Sequence, residues 1–410
     1  MGKYHGKATT VLRPRTTKEV SDIVKWCAKR RIGIVPQGGN TGLVGGSVSL
    51  DKEVVLNLGA MSNVRSFDPV SGILVADAGC ILESLGDYIA PHNYIMPLDL
   101  GAKGSCQIGG NIATNAGGLR LLRYGSLHGS VLGLEVVLPD GTILDQLSTL
   151  RKDNTATHNV MLALPRFDNI LPLFQAVKRD LGEILSAFEY IDRTAYDTAV
   201  AHGHARVFTD EEMQGAQCFV LIETSGGNND HDEQKITELL ESLLTADKPL
   251  VLTGVLSQSP AQFASLWALR EGLPEALQKE GKPYKYDISI PIADFERVVD
   301  SCRDQLKSRG LYGDHAVSKV VGWGHIGDGN LHINVIAKQG YTPEIEQALE
   351  PFIYEVVSSL KGSISAEHGI GSMKPHALHY SKSSASIEWM KKLKETFDPL
   401  NIMNPGKVLP

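Results

Sequence analysis

No stretch of eighteen consecutive apolar residues occurs in this 410-residue chain, so the sequence offers nothing that would span a membrane. It also lacks any basic run of the kind a phosphate backbone requires. With a formal net charge of −7 and a pI near 6.0, it is a poor partner for nucleic acids and anionic membrane surfaces. Cysteine is scarce: Cys27, Cys80, Cys106, Cys218 and Cys302 are odd in number and widely spaced, with no CxxC pair. That excludes a disulfide framework and fits a reducing compartment. The N-terminus has no Arg/Ser-rich amphipathic leader, and its myristoylation-like start carries Gly6 where Ser or Thr is required. Either the protein is cytosolic or its leader is absent from this chain. Internal repeats and low-complexity tracts are missing too. What remains is a globular chain, 42% hydrophobic, with room for two or three domains and a sizeable core. Small molecules are the partners that such a chain suits.

Glycine is concentrated rather than scarce. After a capping box at Thr16 and Glu19, a helix with Val20, Ile23, Val24 and Cys27 on one face, and a short strand at 32–35, the chain reads PQGGNTGLVGGS over 36–47. Five glycines fall within nine residues there, too many for an ordinary turn. Glycines let successive N–H groups converge on an anion, as in phosphate-binding nests. The spacing is neither GxGxxG nor GxxxxGK[ST], so neither a Rossmann nor a P-loop assignment is open. A mobile loop is the alternative. Strands at 54–58 and 73–76 and a helix near 81–90 lead to a second glycine-rich run from Pro97 to Gly101 and from Ile108 to Gly118. Two such loops suggest a diphosphate gripped from two sides, and a dinucleotide cofactor is the natural occupant. Asp140-Gly141 between apolar runs marks a hairpin.

From about residue 160 the texture changes. Helices are expected near 171–182, 230–245, 260–280, 292–309 and 343–360, and strands at 184–191, 218–223, 284–290 and 319–336, with 224–229 a plain loop. This alternation predicts an α+β domain, an antiparallel sheet covered by helices. Within the last strand region lies GHIGDGNLHIN (324–334). A two-residue turn at Asp328-Gly329 would pair His325 with His332, close enough for both imidazoles to hold one metal ion, with Asn334 pointing the same way. A polar hairpin with two surface histidines is the other reading. A third ligand has to come from elsewhere, and Glu367 in SAEHGIG (365–371) would complete a His/His/Glu set of catalytic type, leaving His368 as an acid or base. Lys285 and Asp287 alternate with Tyr284, Tyr286 and Ile288, and Arg270 ends the apolar run 266–269. These charges are either a solvated face or, for Arg270 and Lys285, holders of substrate carboxylates.

Taken together, PQGGNTGLVGGS, MPLDLGAKGSCQIGGNIATNAGGLRLLRYGSLHG (96–129), YKYDISIP (284–291), GHIGDGNLHINV, SAEHGIG and the C-terminal LNIMNPGKVLP resemble the flavin-linked 2-hydroxy acid dehydrogenases of the vanillyl-alcohol-oxidase type over nearly the whole chain. The resemblance implies a two-domain flavoprotein: an FAD-binding domain at 1–158, a substrate or cap domain with the metal hairpin at 159–360, and a C-terminal helical segment at 361–410 packing back near the flavin. It implies FAD contacts at Gly38, Gly39, Asn40, Thr41, Gly42, Pro97, Gly110, Asn111, Thr114, Asn115, Gly118 and Tyr124. A divalent metal, zinc in the first place, would be held by His325, His332 and Glu367, and substrate by Arg270, Lys285, Asn334 and His368. The implied reaction oxidises a D-2-hydroxy acid, 2-hydroxyglutarate in the first place, to the 2-oxo acid. The metal chelates carboxylate and hydroxyl, His368 takes the proton, and hydride passes to the flavin. The implied acceptor is an electron-transfer flavoprotein, and the implied location mitochondrial. D-lactate oxidation, a metal-assisted hydrolase and a flavin-poor pseudoenzyme are the rivals. The last is suggested because the chain starts late and because family members continue after Arg151–Thr155 into a Gly-Ser-Glu-Gly-Thr-Leu-Gly loop and a strand that are missing here. Pro274 also stands where close relatives often carry a hydroxyl residue.

Overall fold

The computed structural model describes residues 5–147 and 156–410, so the segment 151–155, after which the departure is expected, lies outside the described residues. The chain forms two units, one from 5–118, 124–147 and 367–410, the other from 119–123 and 156–366.

In the first unit, Thr16 caps the helix Thr17–Arg30 by accepting the Glu19 N–H at 3.2 Å. The Glu19 carboxylate turns back one residue further than expected, to the Arg15 N–H at 2.7 Å, so only half of the capping box forms. Strands β1 (Val11–Leu12), β2 (Ile34–Gln37) and β3 (Val54–Asn57) make a parallel sheet with β3 in the middle. Val24 and Cys27 of the helix close over Ile34, Leu56 and Ile402. The C-terminal segment lines the free edge of β2: the Ile34 N–H donates to the Ile402 carbonyl at 2.6 Å and the Asn404 N–H to the Ile34 carbonyl at 2.8 Å. Two antiparallel hairpins complete the set, β4 (Val64–Asp68) with β5 (Ile73–Ala76) and β6 (Glu135–Val137) with β7 (Ile143–Asp145). The second glycine-rich run is not loop throughout, because Ile108–Thr114 is a helix. Gly109 permits it: a Cβ there would stand 2.6 Å from that of Ala78, so only a bare Cα lets the turn approach.

The second unit is a seven-stranded antiparallel sheet of β8 (Ala156–Leu164), β9 (Leu185–Asp192), β10 (Cys218–Gly226), β11 (Thr253–Leu256), β12 (Lys282–Ser289), β13 (Val317–His325) and β14 (Asn330–Ala337). Their order is β11-β8-β10-β9-β13-β14-β12. Thr224, Ser225 and Gly226 continue β10 instead of leaving it as a loop, since β8 pairs with them to the end of the ladder, Gly226 opposite Ala156. Cross-strand pairing overrides their turn preference. The helix expected at 260–280 is two, Pro260–Glu271 and Leu273–Glu280, because Pro274 has no N–H to offer the Arg270 carbonyl. One face of the sheet carries Met161, Ile191, Phe219, Leu221, Val321 and Trp323 under the helices Arg193–Ala201, Pro260–Glu271 and Leu273–Glu280. The opposite face, with Val160, Leu162 and Ile222, packs on Ile170–Leu181 and Asn229–Thr245. Among the described residues no helix is long and apolar enough to cross a membrane.

Candidate active site

The helix-covered face of the sheet turns polar toward β12 and β14. The hairpin between β13 and β14 turns through a 3-10 element, Ile326–Asp328, with Gly329 left-handed at φ 70°, rather than through a two-residue turn at Asp328-Gly329. The register therefore differs from the expected one: His325 opposes Asn330, and His332 opposes Trp323. The shift is by two residues, and since strand side chains alternate, an even shift keeps both histidines on one face. They meet diagonally, ring centroids 5.3 Å apart and planes at 85°. Both are nearly buried, which disposes of the surface-histidine reading.

Each imidazole has a carboxylate behind it. Glu189 in the middle of β9 is 1% exposed, and its Oε1 lies 2.8 Å from His325 Nδ1. Its Oε2 accepts from Arg270 Nε at 2.9 Å and Nη2 at 2.7 Å. Burial alone would raise this carboxyl, but the charges of His325 and Arg270 and their hydrogen bonds carry it below the ordinary value. Asp287, fully buried and opposite His332 across β12 and β14, places Oδ1 3.6 Å from His332 Nδ1. The Glu189 carboxylate on Nδ1 orients the Nε2 side of the His325 ring, the usual outer support of a metal site, whereas Asp287 meets His332 only at ion-pair distance. Neither was read as a site residue from the sequence. The signal for Glu189 is a carboxylate flanked by Phe188 and Tyr190 at the centre of a buried strand.

The charged alternation in β12 is thus not a solvated face. Arg270 is 4% exposed, lies over the Trp323 ring at 4.3 Å and is spent on Glu189. Lys285 differs. It lies opposite Asn334 on the same face, half-buried, and desolvation alone lowers its ammonium below the ordinary lysine value. No anion faces it among the described residues. Asn334 Oδ1, both polar atoms of the Asn330 side chain and Trp323 Nε1 are buried there without a partner. A face with two supported imidazoles, orphaned amides and an unmatched cation suits a divalent metal and an anionic ligand.

Glu367 and His368 belong to the first unit, where a Cβ at Gly117 would stand 2.5 Å from Glu367 Oε1. They follow Ala366, whose N–H donates to the Asp287 carbonyl at 3.4 Å, and Ser365, whose hydroxyl donates to Asp287 Oδ2 at 3.4 Å. In the same unit the two glycine-rich runs meet. Gly38 packs on the Gln107 side chain, and Gly39 sits so close to the Ser105 carbonyl that any Cβ would overlap it. Gly118 approaches the Asp99 carbonyl in the same way. Gly42 and Gly110 instead open on free space, and Gln107 Oε1 and Asn111 Oδ1 nearby are buried without a partner. This cradle of bare backbone suits a diphosphate. Asn40, left-handed at φ 53°, accepts from the Ser47 hydroxyl. Thr114 donates to the Gly110 carbonyl, and Asn115 accepts from the His128 N–H, so these three side chains also shape the cradle. Thr41 is exposed, and Pro97 and Tyr124 are half-buried in the same unit.

Residues 8–146 match the model of an FAD binding domain, and residues 154–408 that of the FAD linked oxidases, C-terminal domain. A putative mitochondrial D-lactate dehydrogenase of Schizosaccharomyces pombe is 47% identical over 99% of this chain and 83% of its own length. The mitochondrial D-2-hydroxyglutarate dehydrogenase of Arabidopsis thaliana is 45% identical over the whole chain and 76% of its own. These alignments run over 442 and 440 residues, longer than the chain itself, so the relatives carry residues this chain lacks. Among solved structures, 4-ethylphenol oxidase from Gulosibacter chungangensis superposes with a TM-score of 0.73 at 15% identity, over 98% of this chain and 89% of its own, a likeness of fold.

Proposed function

The chain belongs to the FAD-linked oxidases, among the flavin-linked 2-hydroxy acid dehydrogenases, and from that membership we propose that it oxidises D-2-hydroxyglutarate to 2-oxoglutarate with the help of a divalent metal. The observation that carries the choice of substrate is Lys285, a desolvated cation with no anion facing it, on the sheet face that holds His325 and His332. A half-buried ammonium awaits a counter-charge, and the distal carboxylate of a five-carbon diacid supplies one where lactate does not.

His325, His332 and Glu367 hold the metal, which we take to be zinc. Such a metal would supply Lewis acidity toward a hydroxyl, and FAD would supply a hydride acceptor. Glu189 and Asp287 hold the two imidazoles in one orientation. Asn334 donates its amide to the substrate, and Arg270 contributes positive charge through the edge that Glu189 leaves open. His368 removes the hydroxyl proton as general base. The glycine-rich cradle grips the cofactor through Gly38, Gly39, Asn40, Thr41, Gly42, Pro97, Gly110, Asn111, Thr114, Asn115, Gly118 and Tyr124. An electron-transfer flavoprotein takes the electrons, in mitochondria, the compartment named for the relatives.

The test is substrate choice. Losing one partner of a desolvated charge pair costs about 2 to 5 kcal/mol, so Lys285→Met lowers kcat/KM for D-2-hydroxyglutarate by about 30-fold or more while barely affecting D-lactate. Equal losses on both would refute the distal-carboxylate role.

A second reading has its own observation. Among the described residues β6 and β7 form a sheet of two strands, and apolar residues of both strands, Val136 at 40%, Ile143 at 39% and Leu144 at 41%, are exposed. Edge strands with exposed apolar side chains are what loss of a neighbouring strand leaves behind, and the relatives' alignments contain more residues than this chain. On this reading the protein binds little FAD and turns over slowly until the absent block is restored. The absorption spectrum of the purified chain decides it: a stoichiometric flavin band rules it out.

A further inference from the structure

We propose that Lys407 is a positioning residue for the cofactor cradle: it clasps the C-terminal tail onto the first glycine-rich run and fixes where the carbonyl of Gly46 points. Lys407 is 8% exposed, and its Nζ donates to the Gly46 carbonyl at 2.7 Å and to Asn404 Oδ1 at 3.1 Å. A second tie crosses the same place. The Ser372 N–H and hydroxyl each donate to the Val44 carbonyl at 3.0 Å, and the Val408 N–H donates to the Gly371 carbonyl at 2.7 Å. Gly371 is left-handed at φ 51°, and its Cα lies so close to Val44 that a Cβ would stand 2.9 Å from the valine Cβ and closer still to its carbonyl. Three stretches distant in sequence, 44–46, 371–372 and 404–408, are thereby sewn together around a loop that has no regular structure of its own.

The chemistry explains why a lysine is used. A loop that works through its backbone N–H groups has to turn its carbonyls away from the anion, and each carbonyl turned inward has to be satisfied. Val44 and Gly46 are such carbonyls, and a buried ammonium gives the second a charge-assisted donor. The charged group that faces Lys407 is Glu53, itself buried and bound by the Ser49 hydroxyl and the Asp51 N–H, both at 2.7 Å. Burial pulls the Lys407 ammonium down to about 8, with Glu53 opposing that shift. The clasp is therefore charged at neutral pH and weakens in mildly alkaline solution.

The inference rests on the FAD reading for its consequence but not for its geometry, and the experiment separates the two. Hydrogen exchange is measured on the FAD-free full chain for the amides of 44–48 and, as an internal reference, those of β13. Lys407→Met speeds exchange in 44–48 by about 10- to 100-fold, the range expected for losing one charge-assisted hydrogen bond, with β13 unchanged. In the parent chain, after correction for intrinsic rates, that protection declines as pH passes about 8, and Lys407→Arg, which stays charged, holds it flat. FAD titrated into the same proteins binds Lys407→Met correspondingly more weakly. Unchanged exchange in Lys407→Met, or faster exchange with undiminished FAD affinity, overturns the proposal. A parent chain that binds no FAD overturns the cofactor reading, while the exchange data still decide the clasp.

Discussion

The two units handle their polar groups in opposite ways. In the sheet unit the candidate groups are side chains: His325, His332, Glu189, Asp287 and Lys285 project from the four adjoining strands β9, β13, β14 and β12, held by their ladders. In the glycine-rich unit the candidate cradle is mostly backbone, beside the side chains of Glu367 and His368, and among the described residues the sheets there have two or three strands. Side chains on a rigid ladder need only correct register. Bare backbone needs support from outside itself, which here comes from glycine contacts, carbonyl ties and the C-terminal tail. The first kind of site fails by losing a group, the second by losing its shape.

The largest effect should come from removing a group on the ladder. His332→Ala is expected to lose the bound metal and about three orders of magnitude in turnover, the several kcal/mol that a Lewis acid supplies, with the fold intact because an open catalytic site adds little to folding. Elemental analysis beside a melting curve checks both halves. Metal retained in the variant removes His332 from the ligand set.

Next in size is Glu189→Ala, which leaves Arg270 buried and unpaired. Truncating one partner of a buried pair costs about 3 to 5 kcal/mol, so the urea midpoint should fall sharply. Glu189→Gln, which keeps shape and one acceptor, should fall less.

The contrast with the other unit is sharpened by Gly39→Ala. The added methyl overlaps the Ser105 carbonyl, and overpacking of this kind costs about 1 to 3 kcal/mol. FAD affinity should drop far more than metal content, since two of the three proposed metal ligands, His325 and His332, stand on the sheet of the other unit. Loss of both together would show that the units fail as one.

The smallest effect concerns pH. Asp192 caps the helix Arg193–Ala201 through the Ala195 N–H at 2.6 Å and also accepts the Gly322 N–H at 2.6 Å; burial raises its carboxyl to about 6. The folded state thus holds this proton more tightly than the unfolded chain, so the group's contribution is fully present below about 4 and is lost as pH rises through about 6. Asp192→Asn removes that slope. Parallel stability–pH curves for variant and parent between pH 4 and 7 would contradict the assignment.

How much of this was legible beforehand varied with the range of the interaction. Thr16 at a helix start and the strand alternation of β12 are patterns spanning a few residues, and each appears where local spacing places it; the two-histidine hairpin forms too, but with a different turn and a register moved by two residues. The IGGNIAT stretch reads locally as loop, since glycine disfavours helix; its helical turn lies against Ala78, 31 positions away, an approach that only a residue without a Cβ allows. β8 went unread as a strand, since its partners β10 and β11 come more than fifty residues later. Glu189 was missed for the same reason: its roles depend on Arg270 and His325.

The sequence by itself determined that His325 and His332 share a face with Asn334, because side-chain alternation along a strand survives any even change of register. It also located the two glycine-rich runs that meet in the first unit. Only the tertiary structure decided that the two histidines meet diagonally, that Glu189 joins one of them to Arg270, and that Lys285 faces no anion among the described residues. Those outcomes depend on which strands lie side by side, and that is settled by burying the whole sheet under its helices rather than by any short stretch of residues.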